Sequence, residues 1–243
     1  MDWRDEGLVI GARRHGETSV ILELMTRRHG RHLGMVRGGR SRAMRSVLQP
    51  GNRVEANWRA RLEDHLGAYT VEPLASRAAR FLDQGVALHG VACLGALLRL
   101  LPERDPHEDL FEMAEAIAER LDSVDHASPL MARFELALLA ALGFGLDLDA
   151  CVVTGAREEL DYVSPKSGCA VSRVAGEPWR NRLLAYPPFL RDWESAEPDA
   201  AALAAAFRLT GHFLTRDVLA PRGVAMPAAR AMYIGAVASR AAA

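Results

Sequence analysis

Three cysteines, Cys93, Cys151 and Cys169, are all the sequence contains, too few and too scattered to staple a disulfide framework. Reduced thiols are expected. Long apolar runs are missing too: the longest, residues 85 to 98 around His89, falls short of the roughly 20 residues that a membrane-spanning helix needs. No charged-then-apolar signal segment opens the chain, so a cytoplasmic protein is expected. Signatures of catalysis are absent as well. There is no G-x-S-x-G elbow, no Walker lysine motif and no G-x-G-x-x-G following a strand, so an enzyme is not expected. Lysine is absent from the first 80 residues, which nevertheless hold 15 arginines against nine acidic residues.

That last asymmetry is hidden by a formal net charge of −1 over 243 residues. The first 80 residues carry a surplus of six positive charges and the remainder a surplus of seven negative ones. A basic N-terminal module on an acidic body suits a protein that meets a polyanion at one end and repels it at the other. The competing reading is chance segregation of solvated charge. With 49% hydrophobic residues, the chain has material for a real core.

The first 74 residues predict five strands, since short alternating runs are separated by turn signals at Gly16, Gly30, Gly38-Gly39, Pro50-Gly51 and Gly67. The runs are Leu8 to Ala12, Ser19 to Thr26, His32 to Val36, Arg53 to Glu63 and Leu66 to Glu72. In the fourth, Val54, Ala56, Trp58, Ala60 and Leu62 alternate with polar residues, giving one core face and one wet face. Five strands of this size match an OB-fold barrel. Near Pro73 the period changes to about 3.6 and helices are expected. Asp105-Pro106-x-Glu108 and Ser128-Pro129 read as helix starts, and Gly143 and Gly145 as an end to the stripe Leu130, Phe134, Leu138, Leu142. Residues 146 to 195 lose periodicity and read as an irregular insert, before an Ala-rich helix carrying Leu203, Phe207 and Leu214. The expected class is α+β, with an OB-fold nucleic-acid-binding domain over 1–75 and a helical domain over 76–243.

The segment GMVRGGRSRAMRSVLQPG, residues 34 to 51, crowds Arg37, Arg40, Arg42 and Arg45 into a glycine-containing connection. Guanidinium groups offer forked donors to phosphate oxygens and planes that stack on unpaired bases, and glycines permit close approach. Arg13, Arg14, Arg27, Arg28 and Arg31 lie in or beside neighbouring turns, so closure of the sheet is expected to bring all nine to one groove. A solubilising surface is the alternative. Metal binding finds less support. Cys151-x-x-Thr154 and Cys169-x-x-Ser172 look like two halves of a four-cysteine knuckle, each lacking one sulfur, and no histidine lies between them. Neither zinc nor any other cofactor is expected. His29-x-x-His32 has no adjoining carboxylate in sequence, so these are read as solvated or phosphate-contacting.

Taken in order, these segments resemble the RecO family along nearly the whole chain. GLVIGARRHGETSVILELMTRRHGRHLGMVRGGRSR resembles the family's opening strands, Leu48-Gln49-Pro50-Gly51 the lead into its fourth, ARFELALLAALGFGLDLDAC its helix-to-cysteine segment, and DYVSPKSGCAVSR its Ser-Pro-containing strand turn. The resemblance implies an OB-fold, a helical domain and an insert that binds zinc in some members. Thr154 and Ser172 stand where zinc-bearing relatives have cysteines. It further implies a nucleoid-associated DNA repair and recombination mediator that binds single- and double-stranded DNA and anneals strands coated by single-strand-binding protein. With RecR, it would help to load RecA. The tail of single-strand-binding protein would bind the helical domain, with Arg133 beside Phe134 as a candidate anchor. The rivals are a general OB-fold DNA or RNA binder and a scaffold that binds no nucleic acid.

Overall fold

The computed structural model describes residues 1–62, 64–192 and 197–241. Its first strands are β1 (Asp2–His15), β2 (Ser19–Thr26), β3 (Gly30–Val36), β4 (Arg53–Arg59) and β5 (Ala68–Ala75). They close on themselves in the order β1-β2-β3-β5-β4, with β3 and β5 parallel and every other pair antiparallel. This closed five-stranded sheet is consistent with the expected OB-fold. Its interior holds Val9, Leu22, Leu24, Val36, Val54, Ala56, Trp58 and Tyr69.

Two strand limits differ from expectation. β1 starts six residues before Leu8, because Asp2 to Glu6 pair with Arg59 to Glu55; their charged side chains leave no apolar alternation to read. β4 ends at Arg59, and Glu63, the expected end of that run, lies outside the described residues. Residues Gly7 to Ile10 are buried on both faces because β1 also packs on helices, so their apolar run does not alternate.

The basic connection contains a short helix that the turn signals concealed, α1 (Arg42–Val47), capped by the Ser41 hydroxyl accepting from Met44 N–H at 3.3 Å. Buried Asn52 locks its far end. The Asn52 amide donates to the carbonyls of Ser46 (2.7 Å) and Val47 (3.1 Å), and its oxygen accepts from Arg77 N–H (2.8 Å) and Ala78 N–H (2.9 Å).

Helices follow: α2 (Ala78–Phe81), α3 (Gly85–Leu98), α4 (Glu108–Arg120) and α5 (Val124–Ala141). α4 starts at Glu108 behind His107, so Asp105 is not its cap. α5 starts four residues before Ser128 and takes Pro129 inside, in its second turn, where the missing N–H forfeits one intrahelical hydrogen bond. Gly143, at φ 87°, follows its end as expected. The irregular insert holds a small sheet in the order β7-β6-β8, from β6 (Leu160–Val163), β7 (Ala170–Ser172) and β8 (Leu184–Ala185), with α6 (Arg173–Gly176) between the last two. Its expected limit at 195 falls outside the described residues. α7 (Ala200–Phe213) is capped by Asp199, which accepts from Ala202 N–H at 2.7 Å; a π-helical turn over Leu214–Leu219 and α8 (Ala228–Ala241) follow.

Packing divides the chain into two units, Met1–Ala127 with Ala229–Tyr233, and Ser128–Ala228 with Ile234–Ala243. In the first, Glu23 on β2 joins Arg31 and Arg99, each at 2.8 Å, and Arg77 reaches Glu115 (2.8 Å) and Glu119 (2.6 Å) on α4. Helices α3 and α4 are thereby tied to the sheet. Among the described residues no helix is long and apolar enough to cross a membrane.

Candidate nucleic-acid interface

Strand register assembles an aromatic rung. Trp3 on β1 sits opposite Trp58 on β4, which sits opposite Tyr69 on β5. Close approach is possible only because two neighbours lack side chains. A Cβ on Gly34 would meet the Tyr69 ring at 2.4 Å, and one on Gly67, at φ 64°, would meet Trp58 Nε1 at 2.3 Å. Trp58 Nε1 donates to the Leu66 carbonyl at 3.0 Å, and the Tyr69 hydroxyl bonds His32 Nδ1 at 2.9 Å.

Beside this rung lies an open groove of about 1080 Å³, lined by Arg4, Arg37, Arg59 and Arg61 and by the half-buried Trp3 and Met44, with the buried Trp58 and Tyr69 behind them. Arg4 is paired with Glu55, whose hydrogen bond and charge raise its pKa. Among the described residues Arg37, Arg59 and Arg61 have no carboxylate partner, and all three are exposed. Unpaired guanidinium groups beside aromatic rings can take phosphate oxygens and stack bases together.

The nine expected arginines do not meet in one groove. Arg13, Arg14, Arg37, Arg40, Arg42 and Arg45 gather at one end of the sheet, where Arg14 pairs with Val20 and Val20 with Val36. Arg40 folds back onto the Gly16 and Glu17 carbonyls, and Arg45 onto the Arg40 carbonyl at 3.0 Å. Arg27, Arg28 and Arg31 lie at the other end of β2, roughly 23 Å away. Arg27 is held by Glu6, Glu108 and Glu112, with Glu108 the first cause of its raised pKa. Arg31 donates to the Leu101 carbonyl at 3.1 Å as well as to Glu23. Both serve to dock helices. Arg28 is exposed. Sequence reasoning missed Arg4, Arg59, Arg61 and the three rings. Alternation had put Arg59 and Arg61 on a wet face, but only register reveals which strands flank them.

The two histidines were expected to be solvated or phosphate-contacting, and one of them is closed off from solvent. His32 is buried; burial first, then the charge of Arg104, pushes its imidazole down to about 4. His29 Nδ1 meets Asp5, distant in sequence, at 2.8 Å.

Residues 1–77 match the family described as Recombination protein O N terminal, and residues 84–224 match Recombination protein O C terminal. The chain belongs to the recombination protein O family. It is 59% identical over 237 residues to the DNA repair protein RecO of Chelativorans sp. strain BNC1, covering 98% of this chain and 96% of that one. Against the DNA repair protein RecO of Mesorhizobium japonicum the identity is 56% over 98% of this chain and 94% of that one, and against that of Methylorubrum populi 58% over 96% and 97%.

Two further regions of this RecO-family chain bear on the expectations. Among the described residues no three His, Cys, Asp or Glu side chains group as metal ligands. Cys151 is buried, and its pKa falls to about 6: burial opposes ionisation, but hydrogen bonds from Ser172 and then Thr154 outweigh it. In the second unit, Phe134 is fully buried, while Arg133 donates from Nε to the Phe189 carbonyl at 2.8 Å and from Nη2 to the Asp192 carbonyl at 3.0 Å. Burial lowers the Arg133 pKa, with Asp192 opposing.

Proposed function

We propose that this chain is a DNA repair and recombination mediator that binds DNA and catalyses no covalent reaction. The observation that carries the reading is the groove, where three exposed arginines without carboxylate partners among the described residues border the half-buried ring of Trp3. Family membership and the name that the relatives carry, DNA repair protein, support the same role. In this reading residues 1–75 are the DNA-binding module. Residues 76–243, with the insert at about 146–195, engage protein partners. A single strand runs through the groove with its phosphates on Arg37, Arg59 and Arg61; Arg13, Arg14, Arg40, Arg42 and Arg45 extend the basic surface for double-stranded DNA or a second strand, and Arg28 adds charge at the far end. The protein then anneals strands coated by single-strand-binding protein at the cytoplasmic nucleoid and, with RecR, helps to load RecA. Arg133, supported by Phe134 packed beneath its helix, takes the carboxylate of the single-strand-binding protein tail, exchanging carbonyl partners for a charged one.

The test replaces Arg37, Arg59 and Arg61 together with Ala. Each lost phosphate contact lowers the log–log salt slope on single strands by about 0.7, so the variant's slope falls by about 2, and annealing of coated strands falls with binding. Wild-type slope and annealing in this variant would remove the groove from the DNA path. Loss in an Arg13, Arg14, Arg42 variant instead would move that path to the hairpin end.

A further inference from the structure

The aromatic rung does not end at Trp3. The His29 imidazole stacks on Trp3 with centroids 4.1 Å apart and planes 7° apart, and Trp3 stacks on Trp58 at 5.7 Å and 19°. Trp58, Trp3 and His29 therefore form one column whose last ring is the imidazole. That ring is held from three sides. Its Nδ1 bonds Asp5 at 2.8 Å, its backbone N–H donates to the Thr26 hydroxyl at 3.1 Å, and the Asp5 carboxylate is fixed by the N–H groups of Arg28 (2.8 Å) and Glu6 (2.9 Å). Beside it lies a second cavity of about 530 Å³, lined by Asp2, His29, His32, Arg28, Arg104 and Pro106, which shares Met1, Asp2, Trp3 and Trp58 with the groove. The side chain of His29 is 33% exposed, and among the described residues only Trp3 stacks on it.

We propose that this cavity receives one unpaired nucleobase of the strand lying in the groove, stacked on His29 as the next ring of the column. The inference rests on the single-strand reading given above. A column of parallel rings with one open end adds a fourth ring in the offset, near-parallel geometry that aromatic pairs favour. An immobilised platform does so without ordering a side chain on binding. The walls carry both signs, Asp2 against Arg28 and Arg104, and the Asp5 carboxylate is bonded to the His29 ring, so stacking rather than charge decides what enters. Arg28, exposed at the wall of the cavity, can donate to the edge of a stacked base.

The test uses a short oligothymidine carrying a single 2-aminopurine at successive positions, whose emission is quenched when the base stacks. With the full-length protein, one position is quenched. His29→Ala restores emission at that position and weakens binding about 5-fold or more, while His29→Phe retains both the quench and the affinity because stacking needs only a ring. Asp5 keeps its two backbone partners in either variant, and circular dichroism checks that folding is unchanged. Should His29→Ala bind and quench like wild type while the Arg37, Arg59, Arg61 variant loses binding, the cavity is not a base site, although the groove reading stands. Should the wild type fail to bind the strand at all, both fall.

Discussion

His32 shows how one residue can make the sheet sensitive to acid. Its imidazole is buried against Tyr69, and its pKa stands at about 4 in the folded protein against roughly 6.5 in an unfolded chain. The unfolded state therefore binds more protons between those values, so stability rises with pH across that window. The contribution is fully present above about pH 6.5 and is lost as pH falls toward 4, amounting at most to about 3 kcal/mol. Urea unfolding at pH 7 and pH 4.5 checks this. The wild type loses more stability between the two than His32→Asn does; equal losses would show that the carboxylates alone govern acid sensitivity. His32 was not legible as a core residue because its sequence neighbours, Arg31 and His29, are polar. Only the parallel closure of β3 on β5 brings the Tyr69 hydroxyl to its ring.

At the scale of elements, Asn52 is where α1, β4 and α2 are joined. It makes four hydrogen bonds to the main chain while itself buried. Replacing it by Ala strands two carbonyls and two N–H groups, and destabilises the protein by about 3 kcal/mol or more, read as a lower denaturant midpoint. Asn52→Asp is no remedy, since a carboxylate cannot donate to Ser46 and Val47. In the insert, Cys151 and Cys169 are the two sulfurs that a zinc site could draw on. Two thiolates without imidazoles leave half of a tetrahedral shell unfilled, so elemental analysis after dialysis against a chelator finds no stoichiometric zinc. One zinc per chain would mean that other ligands complete the site.

Elements differed in how much of them the sequence revealed. β2 was predicted at Ser19 to Thr26 and occupies those residues, because apolar residues and flanking turns define it locally. The helical stripe through Phe134 and Leu138 was equally plain, and both are buried. The start of α5 was misplaced because Ser128-Pro129 imitates a helix start that tertiary packing overrides. The six-residue α1 is too short to leave a period. For the candidate interface, the arginine-rich character of the module was visible, yet the partition of those arginines was not. Whether an arginine faces Glu108 and Glu112, as Arg27 does, or open solvent, as Arg37 does, depends on contacts between residues far apart in the chain.

For the molecule as a whole, the seam between β3 and β5 governs when and where the first unit opens. Its ladder has two residue pairs among the described residues, Met35 with Ala68 and Val36 with Tyr69, with Met35 N–H reaching the Gly67 carbonyl at 3.1 Å and the His32–Tyr69 hydrogen bond beside them. The partners are distant in sequence, so closing the seam carries the loop-closure entropy of the intervening chain and comes late in folding. Amide hydrogen exchange at Met35 is accordingly faster than at Leu24, inside the long β1-β2-β3 ladder; equal protection would mean that the sheet opens only by global unfolding. Arg37 and Tyr69 stand on opposite sides of this seam, and both line the groove. If the proposed path of the strand through the groove holds, DNA laid across them acts as a latch: binding slows exchange at Met35 in proportion to occupancy, so the protection of one amide reports the loading of the groove.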